Sequence, residues 1–388
     1  MNRLEPAGRC ESIPPFLVME VLEKIQKMEA AGKDVVHLEI GEPDFPVPEC
    51  VARGTLDALE RHETSYTHSL GDIRLREAIS RWHRDKYGTD VAPDRILVTS
   101  GTSPAMLLFF SAFVNPGDEI ILSDPHYACY PNFIRFARGV PVTVPVYEEE
   151  GFQYTTAGIR EKISDRTKGV FINSPSNPTG NVMSGQRMKK IADLCSDKGI
   201  PLISDEIYHG LVYEGKEHSI LEFTDNAFVF NGFSKLFAMT GLRLGYIIAP
   251  KPHIRTLQVL HQNFFICANS ITQSCGARAL QESGEETEKM KETYNERRKY
   301  MIKRLREMGL GITVEPTGAF YVFANAKHVS EDSFALALDI LEKQHVGVTP
   351  GIGFGANGEG YLRFSYANSL ENIKKGMDRL EPYFSKRL

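Results

Sequence analysis

A lysine, a serine and an arginine lie within one short stretch of the sequence and together could bind an anionic ligand that carries an aldehyde. Lys235 follows the apolar run 227–230, Ser234 directly precedes it, and Arg243 comes eight positions later, beyond a single glycine. An apolar neighbourhood dehydrates the amine, and such an amine forms Schiff bases with carbonyl compounds. The hydroxyl and the guanidinium are suited to hold a phosphate. A lysine at an arbitrary position usually belongs to the solvated surface, so this prediction depends on its neighbours.

The same stretch resembles the cofactor-lysine signature of class I aminotransferases, which reads S-K-x-[FY]-x-[ML]-x-G-x-R-x-G. The matching residues here are SKLFAMTGLRLG, at positions 234–245. The resemblance implies that the cofactor is pyridoxal 5'-phosphate and that Lys235 holds it as an aldimine. It also implies fold type I, the fold of the aspartate and alanine aminotransferases.

The resemblance extends to residues that would act on the cofactor ring. Asp205, in the motif D-E-x-Y, would accept a hydrogen bond from the pyridine nitrogen and so keep the ring an electron sink. Tyr208 and Asn177 would hydrogen-bond the phenolic oxygen, and Tyr127 would stack on the ring face. The implied catalytic residues are Lys235, Asp205 and Tyr208, and Lys235 would also move a proton between the substrate α-carbon and the cofactor.

Other matched residues would hold the two anionic groups, and the matches run in the family's order along the chain. The residues implied for the phosphate are Gly101, Thr102, Ser103, Ser234 and Arg243. Arg363, in Y-L-R-F-S-Y-A, would grip the substrate α-carboxylate through a two-bond fork, assisted by Asn177 and the backbone of Gly41. Tyr66, in Y-T-x-x-x-G, would reach the phosphate bound by a neighbouring subunit, which implies a homodimer with shared active sites.

The elements that must position these residues follow from the apolar pattern. Seven short β-rich runs are separated by helical stretches or turns, and several are apolar throughout, as strands buried on both faces are. These runs are 96–99, 119–122, 142–146, 169–172, 201–204, 227–230 and 246–249. The pattern predicts an α/β fold with a mostly parallel seven-stranded sheet flanked by helices, in which ligands bind at the carboxyl ends of the strands. Polar residues follow five of the seven runs, so we expect them to converge on one site.

The remaining sequence predicts a smaller α+β domain built from both chain ends. We expect an N-terminal arm and helix in residues 1–47, a large cofactor-binding domain in 48–285 and a small domain in 286–388. The predicted helices are 16–31, 49–61, 73–87, 184–198, 282–308, 330–344 and 372–384. A strand is predicted at 35–40, a strand-turn-strand unit at 312–323, and a strand at 361–366 after a glycine-rich segment.

Composition narrows the class of protein. The 388 residues are 42% apolar and 24% charged, with a net charge of −5, which does not favour nucleic-acid or membrane partners. The six cysteines and eleven histidines show no metal-ligand spacing, so we expect no metal site. Reduced cysteines, and an N-terminus without an apolar segment, favour the cytoplasm.

The resemblance predicts an aminotransferase that moves an amino group from an L-amino acid to a 2-oxo acid, with 2-oxoglutarate as the usual acceptor, by a ping-pong mechanism. Three departures bear on the details. Gly232 stands where many relatives have a hydroxyl, so the phosphate has one donor fewer. Ser103 and Val18 stand where one aspartate-specific bacterial subgroup has lysine and threonine. We therefore expect an alanine-like or apolar donor rather than aspartate.

Three other interpretations are possible from the sequence. A C–S β-lyase could use the same scaffold, and dependence on an oxo acid would distinguish it. A non-catalytic ligand-sensing module could use it too, although the chain has no basic DNA-binding segment. Residues 353–358 satisfy G-x-G-x-x-G, but they lack the strand-turn-helix context of a dinucleotide site.

Overall fold

The structure is a computed structural model, and it describes residues 5–385. Within this range the strands form sheets of seven, three and two strands. The strands are β1 (Val36–His37), β2 (Ile96–Thr99), β3 (Glu119–Asp124), β4 (Val140–Pro145), β5 (Thr167–Asn173), β6 (Leu202–Asp205), β7 (Ala227–Gly232), β8 (Gly245–Ile248), β9 (Tyr321–Asn325), β10 (Val346–Gly347), β11 (Thr349–Pro350) and β12 (Tyr361–Ser365). The helices are α1 (Gly8–Glu11), α2 (Leu17–Ala30), α3 (Glu49–Glu60), α4 (Ile73–Tyr87), α5 (Thr102–Phe113), α6 (Tyr130–Phe136), α7 (Thr156–Lys162), α8 (Gly185–Asp197), α9 (Lys251–Phe264), α10 (Ser270–Glu282), α11 (Gly284–Glu307), α12 (Ser333–Gln344) and α13 (Leu370–Ser385).

The large sheet confirms the predicted α/β fold. Its strand order is β2-β8-β7-β6-β5-β3-β4, and each of the seven predicted runs lies in it. All neighbouring strands are parallel except the two pairs that involve β8. Every residue of β2, β6, β7 and β8 is buried, which explains why apolar and polar residues do not alternate along these strands.

Helices cover both faces of this sheet. Side chains alternate between the faces of a strand, so β7 sends Phe228 and Phe230 to one side and Val229 to the other. Phe228 and Phe230 pack with α5 and α9, whereas Val229 belongs to the larger core that includes α8 and α10. The two cores hold the strands rigidly, and with them the loops at their ends.

The strand directions bring the predicted site residues to one edge of the sheet. Strands β2, β3, β5, β6 and β7 run parallel, so their carboxyl ends share an edge. Because β8 returns antiparallel beside β7, the loop 233–244 that joins them stays at that edge. Lys235 and Arg243, near the two ends of this loop, therefore face the same region.

The smaller part of the molecule draws on both ends of the chain. Its antiparallel sheet has the order β11-β12-β9, and a separate parallel pairing joins β1 to β10, with Val36 opposite Val346. Helices α12 and α13 pack against this pairing. The domain boundaries at residues 47 and 285 stay predictions; α11 begins beside the second of them, at Gly284.

Two predicted strands differ from the structure. The strand-turn-strand prediction at 312–323 is wrong, because only β9 forms there, and it begins at Tyr321. The preceding backbone bonds instead to loops of the large domain: Gly318 N–H donates to the carbonyl of Gly180, and Ala319 N–H to that of Leu211. The predicted strand 35–40 is shortened to β1, and its continuation turns toward the site.

No helix in the described range combines the length and the apolar character that crossing a lipid bilayer requires. The longest apolar run of the sequence, at 105–114, lies largely in α5, where it is buried against the large sheet.

Candidate active site

A cavity of about 420 Å³ opens at the carboxyl edge of the large sheet and is closed on its other side by the smaller part of the molecule. Its lining brings together all the predicted site residues except Gly101 and Tyr66. These lining residues are Gly41, Thr102, Ser103, Tyr127, Asn177, Asp205, Tyr208, Ser234, Lys235, Arg243 and Arg363. The predicted convergence of strand ends is therefore present in the geometry, whereas the role of each residue stays a prediction.

Lys235 lies at the base of the cavity with its amine in an apolar setting. Its Nζ donates a hydrogen bond to the carbonyl of Gly41 at 2.6 Å, and the ring centroids of Tyr208 and Phe320 lie 5.9 and 5.7 Å away. Burial lowers the pKa of Lys235 to about 8, and the guanidinium of Arg363 contributes to the same shift. A substantial fraction of the amine is consequently neutral near pH 8, the form that can attack a carbonyl.

Asp205 is buried at the end of β6 and retains the capacity to accept another hydrogen bond. Oδ2 accepts from the hydroxyl of Tyr130 at 2.7 Å, and Oδ1 accepts from the backbone N–H of Ile207 at 3.0 Å. Burial raises the pKa of Asp205 to about 6, and these two hydrogen bonds oppose the increase. The carboxylate is thus mainly ionised at neutral pH, as a partner for a protonated ring nitrogen must be.

Two tyrosines form the wall beside Lys235. The hydroxyls of Tyr208 and Tyr321 lie 2.8 Å apart, and their rings meet edge to face. Burial raises the pKa of Tyr208 well above its usual value, so the hydroxyl stays protonated and can donate. Tyr321, on β9, was not predicted as a site residue. Its sequence context, in a region predicted to be a plain strand, gave no signal for it.

Arg363 lies buried on β12 and presents a donor that the protein itself does not use. Nη1 donates to Oδ1 of Asn177 at 3.0 Å, and Nη2 donates to the carbonyl of Glu39 at 2.5 Å. The guanidinium carbon lies 4.3 Å from the ring centroid of Tyr321. Nε has no hydrogen-bond partner among residues 5–385, nor does any carboxylate there lie within ion-pair distance of this arginine. An unpaired buried guanidinium is suited to bind a carboxylate ligand.

The start of α5 and the side chain of Arg243 form the anion-binding end of the cavity. Thr102 is the first residue of α5, whose opening N–H groups have no partner within the helix. Gly101 precedes it with φ of 94°, and a Cβ at this position would lie 2.7 Å from Nη2 of Arg243. A glycine is therefore required for Arg243 to approach the helix N-terminus so closely. Gly101 contributes to the site through this packing although it does not line the cavity.

The structure explains the departure at Gly232. A Cβ there would lie 2.9 Å from the carbonyl oxygen of Leu244 and 3.1 Å from Cα of Gly245. The close pairing of β7 with β8 consequently leaves no room for a side chain at this position.

Tyr66 lies away from this cavity within one chain. Its side chain is 79% exposed. Other large apolar side chains are exposed as well, among them Phe264 at 64%. Its predicted contact with a cofactor across a subunit interface stays a prediction.

Several cavity residues were missed in the sequence. Phe16, Met19 and Leu22, at the start of α2 or just before it, present apolar side chains to the cavity beside Val18, which the sequence had indicated. The helical pattern predicted α2 correctly, but periodicity cannot show whether an apolar face meets a core or a cavity. Tyr130 was also missed, although it follows Tyr127 by three residues.

The side chains present fit pyridoxal phosphate, and residues 353–358 do not fit a dinucleotide site. The cavity supplies an amine, an ionised carboxylate, an anion-binding helix end and an arginine with a free Nε. Within the described residues there is no group of three or more His, Cys, Asp or Glu side chains placed to hold a metal ion. Residues 353–358 form short 3-10 turns that lead into β12, so the helix required for a dinucleotide site is missing.

Comparisons with known proteins agree with the geometry. Residues 33–380 match the family described as aminotransferase class I and II. A (5-formylfuran-3-yl)methyl phosphate transaminase of Methanocaldococcus jannaschii is 41% identical over 375 residues, covering 96% of this chain and 97% of that protein. An aspartate aminotransferase of Pyrococcus horikoshii is 39% identical and covers 94% of this chain and 93% of its own length. The solved structure of Thermus thermophilus aspartate aminotransferase with maleate aligns with a TM-score of 0.94 at 34% identity, covering 98% of this chain and 100% of that one.

Proposed function

Because the chain belongs to the class I and II aminotransferases, whose members use pyridoxal 5'-phosphate, we propose that it moves an amino group from an L-amino acid to a 2-oxo acid, with 2-oxoglutarate as the acceptor. When bound, the cofactor supplies a ring that withdraws electrons from the substrate α-carbon. The observation that carries the proposal is the convergence of Lys235, Asp205 and Arg363 on one cavity.

Lys235 has two roles in this proposal. Its Nζ would hold the cofactor covalently, and once the substrate amine has displaced it, the free amine would move a proton between the substrate α-carbon and the cofactor carbon. A pKa of about 8 suits both directions of this transfer, because the group gives up and accepts protons with similar ease near that pH. Asp205 keeps the ring nitrogen protonated, and Tyr208 donates to the phenolic oxygen.

The remaining residues bind and orient. The N-terminus of α5, with Ser103, Ser234 and Arg243, holds the phosphate, and Tyr127 packs on the ring face. Arg363, which lines the cavity and has no carboxylate partner among the described residues, would bind the α-carboxylate. The amino acid and the oxo acid both carry this carboxylate, so they occupy the same place one after the other, which accounts for a ping-pong sequence.

The cavity favours a small or apolar amino donor such as alanine. Its cationic side chains are Lys235, Arg243 and Arg363, each of which has a role already, and no further cation from the described residues lines it. Phe16 and Val18 instead offer apolar contacts where the distal part of a substrate would lie. The second carboxylate of aspartate, like that of 2-oxoglutarate, finds no further cation among these lining residues, so the preference for an apolar donor over aspartate rests on the contacts with Phe16 and Val18.

A second candidate acceptor is an aldehyde on an aromatic ring that carries a phosphate ester. The Methanocaldococcus jannaschii relative is named for such a compound, and it is similar over almost its whole length. The edge-to-face pair of Phe16 and Tyr127, with ring centroids 6.2 Å apart, provides aromatic surface at the cavity wall. A C–S β-lyase on the same scaffold is the alternative reaction.

The proposed assembly is a homodimer in which Tyr66 completes the partner's site, and the proposed compartment is the cytoplasm. The exposure of Tyr66 supports the first proposal, because this large side chain is 79% exposed within one chain. All six cysteines are unpaired, which supports a reducing compartment.

The test is an absorbance spectrum of the purified protein with pyridoxal phosphate, recorded before and after each of a panel of amino acids. We expect a visible lysine-bound band that amino donors remove and that an oxo acid restores. Lys235→Ala should lack the band, whereas the matched surface variant Lys299→Ala should keep it.

Each outcome bears on one claim. Recovery of the band with 2-oxoglutarate supports the proposed acceptor, and recovery only with the furan aldehyde phosphate supports the second candidate. Release of pyruvate and ammonia without any oxo acid would identify a lyase. A wild-type protein without the band would contradict the role of Lys235.

A further inference from the structure

A fully buried carboxylate lies beside the active site in a setting that the proposed reaction does not explain. Glu39 is 0% exposed, and its Oε1 lies 2.6 Å from Nδ1 of His37. Oε2 has no hydrogen-bond partner among residues 5–385. Gly347 makes space for this carboxylate, because a Cβ there would lie 2.2 Å from Oε2. A buried carboxylate is costly unless a cation neutralises it, and His37 is the cation available.

The environment of His37 keeps it charged. Its second ring nitrogen lies 3.0 Å from a carboxylate oxygen of Glu29, on α2. The hydrogen bond with Glu39 raises the pKa of His37 to about 9, with a smaller contribution from Glu29. Other charged groups near β1 pair with one another, since Lys375 and Arg379 of α13 both bind Asp34.

The segment that contains Glu39 holds two central groups of the cavity through its backbone. The carbonyl of Glu39 accepts from Nη2 of Arg363 at 2.5 Å and from Oγ1 of Thr349 at 3.1 Å. Two residues further on, the carbonyl of Gly41 accepts from Nζ of Lys235 at 2.6 Å. A displacement of residues 39–41 would therefore change where Arg363 points.

We propose that the His37–Glu39 ion pair is a positioning device for Arg363, which it keeps oriented toward the substrate carboxylate. This inference rests on the proposed function only in assigning that carboxylate to Arg363. Neither His37 nor Glu39 lines the cavity, so both act through the backbone carbonyl of Glu39. Without the charge on His37, the Glu39 carboxylate would be buried unneutralised, and residues 39–41 would shift to bring it toward water.

The test measures how tightly the holoenzyme binds isovalerate, an unreactive carboxylic acid, by titration calorimetry. Removing the cation in His37→Asn should raise the Kd by roughly tenfold, the weakening expected when a charge-assisted hydrogen bond is misplaced. Glu39→Gln in the same background removes the unneutralised charge, so the double variant should return to within about twofold of wild type. The affinity for pyridoxal phosphate should be unchanged in all variants, because its anion-binding residues lie elsewhere.

A surface histidine provides the matched control: His328→Asn should bind isovalerate as wild type does. An unchanged Kd in His37→Asn, or a double variant as weak as the single one, would overturn the proposal. A merely structural role would weaken the double variant further rather than restore it.

The pH dependence gives a second measurement if His37→Asn fails to fold. The pKa of folded His37 is raised, so the ion pair is complete below its usual value of 6.5 and is lost as the pH rises through about 9. Isovalerate binding to wild type should weaken across that range relative to Glu39→Gln, and an equal pH dependence in the two proteins would overturn the proposal. Isovalerate binds without reacting, so a protein that binds it in this pattern but does not transaminate would contradict the proposed function alone.

Discussion

At the scale of single residues, burial lowers the pKa of one ionisable group in the site and raises the pKa of another. Lys235 loses positive charge more readily, with a pKa of about 8, and Asp205 loses negative charge more readily, with a pKa of about 6. Desolvation is the main cause in both cases, since it disfavours whichever form is charged. The result at neutral pH is an amine close to reactive and a carboxylate still mainly ionised.

The ionised Asp205 carboxylate should destabilise the folded apoprotein, although the proposed reaction needs it. Its folded pKa of about 6 lies above the usual 3.8, so the cost is present above about pH 6 and disappears toward pH 4. We expect apo Asp205→Asn to be more stable than wild type by roughly 1–3 kcal/mol near neutral pH, and equally stable near pH 4. Urea unfolding at the two pH values measures this.

The same Asp205→Asn variant should lose at least about a hundredfold in kcat, because an amide cannot keep the ring nitrogen protonated. If Asp205→Asn had the stability and the activity of wild type at neutral pH, Asp205 would neither destabilise the apoprotein nor keep the ring nitrogen protonated.

Tyr130 should set the acid limit of activity through Asp205. Its hydroxyl donates to Oδ2 and lowers the pKa of the carboxylate. Removing it in Tyr130→Phe should move the acid limb of the pH–rate profile upward by about one to two pH units, the value of a hydrogen bond to a charged group.

Tyr154→Phe is the matched control for this measurement. Tyr154 is also buried, and its hydroxyl donates to the carbonyl of Phe171 at 2.8 Å, away from the cavity. Its loss should lower stability but leave the pH–rate profile in place. If the acid limb shifted equally in Tyr130→Phe and Tyr154→Phe, the effect would not come from the hydrogen bond between Tyr130 and Asp205.

At the scale of elements, the β7–β8 loop is the feature on which the site depends most. The antiparallel return of β8 holds both ends of residues 233–244 at the carboxyl edge of the sheet. The register ends with Gly232 opposite Gly245, and neither position has room for a side chain. The loop therefore starts from a closely paired base, which limits how far Lys235 and Arg243 can move.

Adding a single methyl group at this base should disturb both the fold and the site. In Gly232→Ala the new Cβ would contact the carbonyl oxygen of Leu244 at 2.9 Å, and backbone atoms cannot move aside cheaply. We expect a loss of roughly 1–3 kcal/mol in stability, together with weaker cofactor binding.

Gly241→Ala tests the same loop without the clash, because a Cβ there meets no atom within 4 Å. It should keep both the melting temperature and the cofactor affinity of wild type. Equal effects of the two substitutions would mean that loop flexibility, rather than packing at its base, controls the site.

At the scale of the whole molecule, the cavity lies between parts that are distant in sequence. Arg363 comes from the small antiparallel sheet, Gly41 from the N-terminal segment and Lys235 from the large sheet. Parallel pairing of β1 with β10 ties the first two together. Tyr66 is 79% exposed within one chain, and the proposed second chain would cover it.

If Tyr66 acts in the partner's site, two defective chains should complement each other. A Lys235→Ala chain retains Tyr66, and a Tyr66→Phe chain retains Lys235, so a mixed dimer contains one intact site. Equal mixing should produce intact sites at about a quarter of the positions. Transaminase activity at limiting pyridoxal phosphate measures them, and a mixture no more active than the sum of its parts would place Tyr66 outside the partner's site.

Much of this organisation was predictable because local signals determine it. Strands buried on both faces must be apolar throughout, so all seven strands of the large sheet could be found from the sequence. The signature around Lys235 and the polar residues after five of these strands likewise indicated the cofactor and the edge where it binds.

Other features depend on contacts between distant segments, and no local pattern encodes them. Residues 312–323 were predicted as a strand-turn-strand unit, but the backbone of Gly318 and Ala319 bonds to loops of the large domain instead. Nothing near Tyr321 or Tyr130 distinguishes these residues from ordinary core tyrosines, and the apolar face of α2 has the same period whether it meets a core or a cavity. The sequence by itself determined the fold class, the family and the residue types of the site, because these rest on periodicity and motif. Only the tertiary structure decided which carbonyls hold Arg363 and Lys235, how burial shifts the pKa values of Lys235 and Asp205, and which side chains line the cavity. The reason is that desolvation and hydrogen bonding depend on atoms brought together from distant parts of the chain.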